Sequence, residues 1–518
     1  MSAFKFLIDT NIVIGLEDNR PVDAELTELT RRCSAAGVRL FVDAAVDDDI
    51  QRDRDLARRV VTQSKLDKFE RLRGIRYPND AELARSFGSI NSANDRSDCR
   101  LLFCLERKAA DFLVTRDTRL QKRARRYGLG NEVLSLEEAI LWLRQTFEPA
   151  TVELPHVFER EAYAIDLRDP LFDSLRADYS GFDAWFAEKC ARQHRKCWVV
   201  EVGGALAGIV IRKDEKRAEA TIRSPGNKIL KLCTFKMGEA FRGEKFGEQL
   251  LKQCLWFSQS NGYDVVYVTA FADKDDLLHL LLSYGFKETA RQANGELVLE
   301  KVMRKGMLPV DALTDILDFD RACYPRFYDG ERVAKYCVPI QGAYHEKLFP
   351  EISFRVPLPL FSAPGLARER TASPNQVRTP GNTIRKVYLC RAQARSLKPG
   401  DLLLFYLSKD DRLEWSQSLT TVGIVERWQE STTAEDLIRM TAKRSVFSAS
   451  ELTDRQKESK RPMKVIDFLL AGHSTPPVRL DTLIEKGIFN GSPPQSIARL
   501  NETRYRSLRT LLNLGFEI

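Results

Sequence analysis

The chain has 518 residues, 43% hydrophobic and 30% charged, with 81 Lys and Arg against 73 Asp and Glu for a formal net charge of +8. That length predicts about three domains, the composition is that of an ordinary globular protein, and the mild positive balance permits a nucleic-acid partner without requiring one. Ten cysteines without a CxxC pair and only five His exclude a zinc knuckle. No apolar run approaches the ~20 residues that span a bilayer, and the opening stretch MSAFKFLIDTNIV does not read as a secretory signal. A reducing cytoplasmic setting, free thiols and no membrane partner are therefore expected.

The first segment, residues 1–148, opens with an apolar strand, Phe4-Lys5-Phe6-Leu7-Ile8, followed by Asp9-Thr10-Asn11. Further strands are predicted at Val38–Val42 and Asp111–Thr115, with helical patterns at Cys99–Ala110 and Leu136–Phe147. Strands alternating with helices predict a parallel α/β sheet. In such sheets, side chains at the carboxyl ends of strands share one crevice. Asp9 ends the first strand, Asp49 follows the second within Asp47-Asp48-Asp49-Ile50, Asp98 precedes the helix at Cys99, and Asp117 follows the third. Four converging carboxylates repel unless a hard cation such as Mg²⁺ or Mn²⁺ neutralises them, and such a cation can activate water beside a phosphate. Taken singly, each acid also reads as a helix cap or part of a solvated run.

The pattern Leu7-Ile8-Asp9-Thr10-Asn11, Asp98-Cys99-Arg100-Leu101-Leu102 and Phe112-Leu113-Val114-Thr115-Arg116-Asp117 resembles the PIN-domain nucleases. The resemblance implies a metal-dependent ribonuclease with Asp9, Asp49, Asp98 and Asp117 as catalytic and metal-binding residues. Asp49 stands where the family has Glu; Asp47 and Asp48 are alternatives, and Asp95 is a spare acid. Arg116, Arg119, Lys122, Arg123, Arg125 and Arg126 follow the site and would track an RNA backbone, or simply form a solvated helix face.

The second segment, residues 149–303, carries predicted strands at Cys197–Gly203, Ala205–Arg212, Lys228–Lys236 and Val265–Ala270. Gly203-Gly204 reads as a hairpin turn. Helices are expected over Lys245–Asn261 and Asp275–Tyr284. The junction Phe235-Lys236-Met237-Gly238-Glu239-Ala240-Phe241-Arg242-Gly243-Glu244-Lys245-Phe246-Gly247 runs from strand into helix, where backbone N–H groups and the helix dipole favour phosphate. With Leu282-Ser283-Tyr284-Gly285-Phe286, it resembles the GNAT acetyltransferases. The resemblance implies acetyl-CoA as cofactor, held by Phe235, Met237, Arg242, Gly243, Glu244, Lys245, Phe246 and Gly247. Lys245 replaces a family glycine, and the family's general-acid Tyr falls at Leu281, with Tyr284 three positions on. Glu239 is a candidate base that equally reads as a solvated turn residue.

The third segment, residues 304–518, contains a Pro-, Ser-, Gly- and Arg-rich linker near 361–382, then strands at Leu402–Leu407 and Thr420–Val425. Leu469–Ile488 and Tyr505–Leu512 read as partly helical. Leu397-Lys398-Pro399-Gly400-Asp401-Leu402 with Thr421-Val422-Gly423-Ile424-Val425 resembles the PUA-like barrels of the EVE and ASCH groups, which implies an RNA-binding β-barrel with helices. Tyr406, Trp415 and Trp428 are candidate stacking platforms or core aromatics, and Pro339–His345 reads as a loop.

The expected architecture is thus α/β and multidomain: a PIN-like parallel sheet, a GNAT mixed sheet and a PUA-like barrel. The expected function is hydrolysis of RNA, including tRNA, by the first segment, coupled to an acyl-CoA-binding second one, with toxin or phage-defence biology and an antitoxin partner suggested by the resemblances. The alternative is an N-acetyltransferase acting on RNA, aminoacyl-tRNA or protein, with the first segment binding RNA.

Overall fold

A computed structural model describes residues 4–9, 12, 24–43, 46, 59, 66, 69–72, 74–147, 157–238, 241, 245–303, 315–352, 383–392, 397–441, 444, 447–458 and 461–516. Backbone packing divides the chain into two compact units. The first comprises Met1–Ala150, Ser431–Lys443 and Phe447–Lys460; the second comprises Thr151–Glu430, Arg444–Val446 and Arg461–Ile518. The chain is a mixed α/β protein, with three sheets among the described residues.

In the first unit, strands β1 (Lys5–Ile8), β2 (Arg39–Asp43), β3 (Glu70–Leu72), β4 (Phe112–Val114) and β5 (Val133–Leu134) form a sheet of order β3-β2-β1-β4-β5. Every pairing in it is parallel. Among the described residues of this segment the helices are α1 (Ala24–Ala36), α2 (Asp80–Phe87), α3 (Ala93–Glu106), α4 (Thr118–Arg126) and α5 (Leu136–Phe147). Alternation along the strands feeds two cores. Phe6 and Phe112 meet Trp142 of α5, with ring centroids 5.3 and 4.8 Å away. Leu7 and Leu113 instead face Leu101 and Leu102 of α3. Two helices from far along the chain, Ala434–Thr441 and Ala449–Lys457, belong to this unit, and Lys108 Nζ lies 3.6 Å from Asp436. The predicted helix Cys99–Ala110 starts six residues earlier, at Ala93, because the Ser92 hydroxyl accepts the Asp95 N–H as its cap. Asp98 consequently sits in the second turn rather than at the helix entrance.

The second unit holds two sheets. Strands β6 (Val157–Glu161), β7 (Lys196–Val202), β8 (Ala205–Lys216), β9 (Lys228–Met237), β10 (Val265–Ala270), β11 (Lys287–Arg291) and β12 (Leu297–Val302) have the order β11-β12-β10-β9-β8-β7-β6. Helix α6 (Asp173–Asp178) packs on one face, and α7 (Phe246–Ser260) and α8 (Asp275–Ser283) cover the other. Gly203 and Gly204 both take positive φ, 59° and 83°, as the tight β7–β8 turn requires.

Helix α9 (Ile316–Cys323) leads to β13 (Lys335–Ile340), α10 (Gly342–Leu348), β14 (Arg385–Cys390), β15 (Leu402–Leu407), β16 (Ser418–Ser431), β17 (Met463–Arg479) and β18 (Ala498–Leu500). The sheet order is β14-β17-β16-β15-β13-β18. Of the stretch Leu469–Ile488, expected to be partly helical, residues up to Arg479 are the second half of β17, and Leu480–Glu485 form a helix. The apolar run Val465–Ala471 that leads into it, interrupted only by Asp467, carries no period that separates strand from helix. Pro339–His345, expected as a loop, is the end of β13 and the first turn of α10.

This sheet and α7 share one hydrophobic core. Within the contact lies a buried ionic joint: Lys252 of α7 and Lys386 of β14 both reach Glu351 Oε1 at 3.2 Å, and His473 Nε2 stands 3.6 Å from the same oxygen. The chain of polar contacts continues from His473 Nδ1 to Thr421 Oγ1 at 2.9 Å, and His345 Nε2 meets Thr420 Oγ1 at 2.9 Å. Burial keeps both imidazoles neutral, pushing His345 down to about 3.

Candidate functional site

The first unit assembles its acids around one hydroxyl. Asp9, 8% exposed, accepts the Thr115 hydroxyl through Oδ2 at 2.6 Å. The Thr115 oxygen in turn accepts the Asp117 N–H at 2.9 Å. Asp117 Oδ1 caps α4 by accepting the N–H groups of Arg119 and Leu120, so the capping role and the site role coexist. Asp98 faces this pair from α3. Burial, then the charges of Asp117 and Asp9, push its carboxyl up to about 7. Asp95 is engaged elsewhere: it accepts the Ser92 hydroxyl and the Asn91 N–H and pairs with Arg123.

Asp47, Asp48 and Asp49 lie outside the described residues. Among the described residues no three His, Cys, Asp or Glu side chains form a group that could hold a metal ion. Asp9, Asp98 and Asp117 alone therefore do not make a Mg²⁺ or Mn²⁺ site.

An acid that the sequence reading passed over is Asp43, the last residue of β2. It is 1% exposed and accepts the Tyr77 hydroxyl at 2.5 Å. Leu7 pairs with Phe41, so continuing that register sets Asp9 level with Asp43. The signal was available: Asp43 ends its strand as Asp9 follows the first. Of the basic residues, Arg123 is bound by Asp95, the Ser89 carbonyl and Cys99 Sγ, which ties α4 to α3. Arg116 pairs with Glu25 at 3.3 Å, and Arg119, Lys122, Arg125 and Arg126 are exposed.

The second unit builds a different kind of site. The parallel ladder between β9 and β10 ends at the pair Leu232–Val268 among the described residues, whereas β9 continues to Met237 and β10 to Ala270. Against β8, the register of β9 jumps from Leu232 to Thr234, leaving Cys233 as a bulge. Two neighbouring parallel strands thus part towards their carboxyl ends, and their backbone groups become available to an extended ligand. Beside the opening stands the amino end of α7, whose first N–H groups and dipole favour an anion.

Phe235 and Met237 are half-buried on the α7 side of β9. Phe246 is buried against Phe241, with centroids 6.3 Å apart, so only its main chain remains for a ligand. Gly247 occupies the first turn of α7. Lys245 takes φ 62° and ψ 18°, a left-handed conformation that explains why the family uses glycine there. Arg242, Gly243, Glu244 and Glu239 lie outside the described residues.

Leu281 is fully enclosed, and Tyr284 is 1% exposed beside Tyr324, with centroids 5.6 Å apart. Burial drives its hydroxyl well above the usual tyrosine range. Tyr284 is an interior residue of the contact between the two sheets.

Residues 160–286 match the family model described as Acetyltransferase (GNAT) family. This segment is a GNAT acetyltransferase domain. The match does not extend to the first unit, and no curated protein matches the chain. Among solved structures, the chain is similar to a GNAT family acetyltransferase from Elizabethkingia anophelis with acetyl-CoA bound, at 14% identity over 29% of this chain and 99% of that one, TM-score 0.22. It is similar to an N-acetyltransferase from Staphylococcus aureus Mu50 at 15% identity over 28% and 98%, TM-score 0.23. An ASCH protein from Zymomonas mobilis is similar at 14% identity over 35% and 96%, TM-score 0.24.

The residues singled out beyond the GNAT domain have quieter surroundings. Tyr406 is buried, Arg479 lies 4.5 Å over the Trp415 ring, and Lys464 lies 5.3 Å over Trp428. Among the described residues no helix is long and apolar enough to cross a membrane.

Proposed function

We propose that the chain is an acyl-CoA-dependent N-acetyltransferase. The observation that carries this reading is the parting of β9 from β10 beside the amino end of α7, inside the GNAT domain. Acetyl-CoA would supply an activated thioester. The first turn of α7, with Lys245, Gly247 and the preceding Arg242 and Gly243, would receive its phosphates. Phe235 and Met237 would line the path of its chain and exclude water. The acceptor would be an amine on RNA-linked, aminoacyl-tRNA or protein substrates, and the third segment, read as PUA-like, would grip RNA. Calorimetric titration of the full chain with acetyl-CoA tests the reading: saturable binding is expected, weakened about tenfold or more by Arg242→Glu through loss of a charge-assisted contact. A folded wild-type chain that takes up no acetyl-CoA would overturn it.

A second reading rests on a separate observation, the repulsion that Asp9 and Asp117 exert on Asp98. Like charges held together across three elements are a recurrent mark of a functional site. In this reading the first unit is a PIN-type ribonuclease, with Asp49 completing the set and a basic α4 along the RNA. No metal-routed step is assigned, since the three described acids do not form a ligand set. Cleavage of total RNA in Mg²⁺ or Mn²⁺, abolished by Asp9→Asn and by EDTA, is the expected result; cutting that survives Asp9→Asn would exclude it.

A further inference from the structure

On the face of the GNAT sheet opposite α7 sits a buried carboxylate with, among the described residues, no counter-cation. Ala270 pairs with Leu297, and both belong to the core beneath α7 and α8. By strand alternation their neighbours Phe271 and Glu296 face the other side, at the carboxyl end of β10, where the ladder with β9 has already opened. There Tyr179, just past α6, stacks on Phe271 with centroids 5.5 Å apart and donates its hydroxyl to Glu296 Oε1 at 2.6 Å. Asn294 Nδ2 donates to the other oxygen at 3.0 Å. Lys274 pins the same corner by pairing with Asp178 at 2.8 Å.

Glu296 is 7% exposed, yet among the described residues it pairs with no Lys, Arg or His. Withdrawing a carboxylate from water without a cation is costly, and two neutral donors offset that only in part. The same two donors fix the carboxylate's orientation and fill two of its roughly four acceptor positions, leaving the others open to a further donor. The phosphate-seeking end of α7 lies on one face of the sheet and this oriented anion on the other, so they address two different reactants.

We infer that Glu296, oriented by Tyr179 and Asn294, receives the acyl acceptor and selects a protonated primary amine. This rests on the acetyltransferase reading and names the acceptor's chemistry. The ammonium docks on Glu296 and loses one proton to solvent. The amine nitrogen then attacks the thioester carbonyl; the C–N bond forms, the C–S bond breaks, and the electron pair leaves on sulfur. The thiolate takes up a proton, so that amine cation and thioester yield amide, free thiol and one proton. A neutral hydroxyl nucleophile has nothing to offer the carboxylate and is discriminated against.

The test follows thiol release by the full chain with acetyl-CoA and, in turn, spermidine, a tripeptide with a free α-amine, and the amine's hydroxyl analogue. Acetyl-CoA binding is measured calorimetrically in parallel. Transfer to at least one of the amines and none to the hydroxyl analogue is expected. Glu296→Gln should raise the amine KM about tenfold or more, with Glu296→Asp recovering part of the loss and acetyl-CoA affinity unchanged within about twofold. Tyr179→Phe, which leaves the ring stack intact, should raise the same KM by a smaller factor. Binding of acetyl-CoA without transfer to any amine, or an amine KM indifferent to Glu296→Gln, overturns the inference and leaves the acetyltransferase reading standing. Absence of acetyl-CoA binding removes both.

Discussion

Asp98 in the first unit and Glu351 in the second are both largely withdrawn from water, yet their carboxyls are driven in opposite directions. Burial alone would raise each. For Asp98 the neighbours Asp117 and Asp9 add to that effect and carry it up to about 7. For Glu351, Lys252 and Lys386 overcome it and hold the group well below the ordinary carboxylate range. The joint at Glu351 satisfies its charges internally and belongs to the fold. The cluster at Asp98 instead sets carboxylates against one another, an arrangement more common at functional sites than in a fold's framework.

The largest effect should come from breaking the satisfied side. Glu351→Gln removes the carboxylate that the buried Lys252 and Lys386 share and should lower the unfolding free energy of the full chain by about 3–5 kcal/mol in urea titration. Because the folded pKa of Glu351 lies below its unfolded value, its contribution is fully present above pH ~4.3 and fades as pH falls towards the folded value. Wild type and variant should therefore converge in acid.

Asp320 sharpens the contrast, because its carboxyl is raised to about 8 chiefly by burial. Its Oδ1 accepts the Tyr328 N–H at 2.7 Å, while Oδ2 finds no partner among the described residues. A raised carboxyl contributes stability below its unfolded pKa of ~3.9 and loses it as pH climbs through the folded value. Asp320→Asn should thus match the wild type near pH 3 and grow steadily more stable than it between pH ~4 and pH ~8, by about 2 kcal/mol or more at pH 9.

Asp98→Asn should act the same way on a smaller scale, stabilising by about 1 kcal/mol at pH 8 in EDTA. Its origin differs in part, so Asp117→Asn or added salt should lower the Asp98 midpoint followed by NMR, while leaving that of Asp320 in place. The smallest effect belongs to Asp80, whose pair with Arg96 is exposed to solvent: Asp80→Asn should leave the unfolding midpoint unchanged.

Much of the fold could be read from short-range pattern. Val265–Ala270 and Leu402–Leu407 are observed with the predicted limits because each is a compact apolar run closed by turn residues. The start of α3 was hidden, since Asn91-Ser92-Ala93-Asn94-Asp95 offers no large apolar residue to reveal the period and only the cap marks it. Lys245 could be recognised as a departure from a glycine motif, but its positive φ depends on how the β9–α7 junction closes. The pairing of Tyr179 with Glu296 spans 117 residues; it is created by packing and leaves no mark in local spacing. The burial of Tyr284 is tertiary in the same sense, since it follows from the sheet that packs against α7 and α8.

The excursion between β16 and β17 makes the first unit discontinuous in the gene. Ribosomes deliver β1 to α5 early, but the helices Ala434–Thr441 and Ala449–Lys457 emerge only after the whole GNAT domain has been made. Domains generally fold as units, in order of synthesis. Here the first unit to begin is the last to be completed, so a transcript truncated anywhere before residue 431 encodes a first unit that lacks these helices. Asp9, Asp98 and Asp117 are thus synthesised long before the last two helices of the unit that carries them.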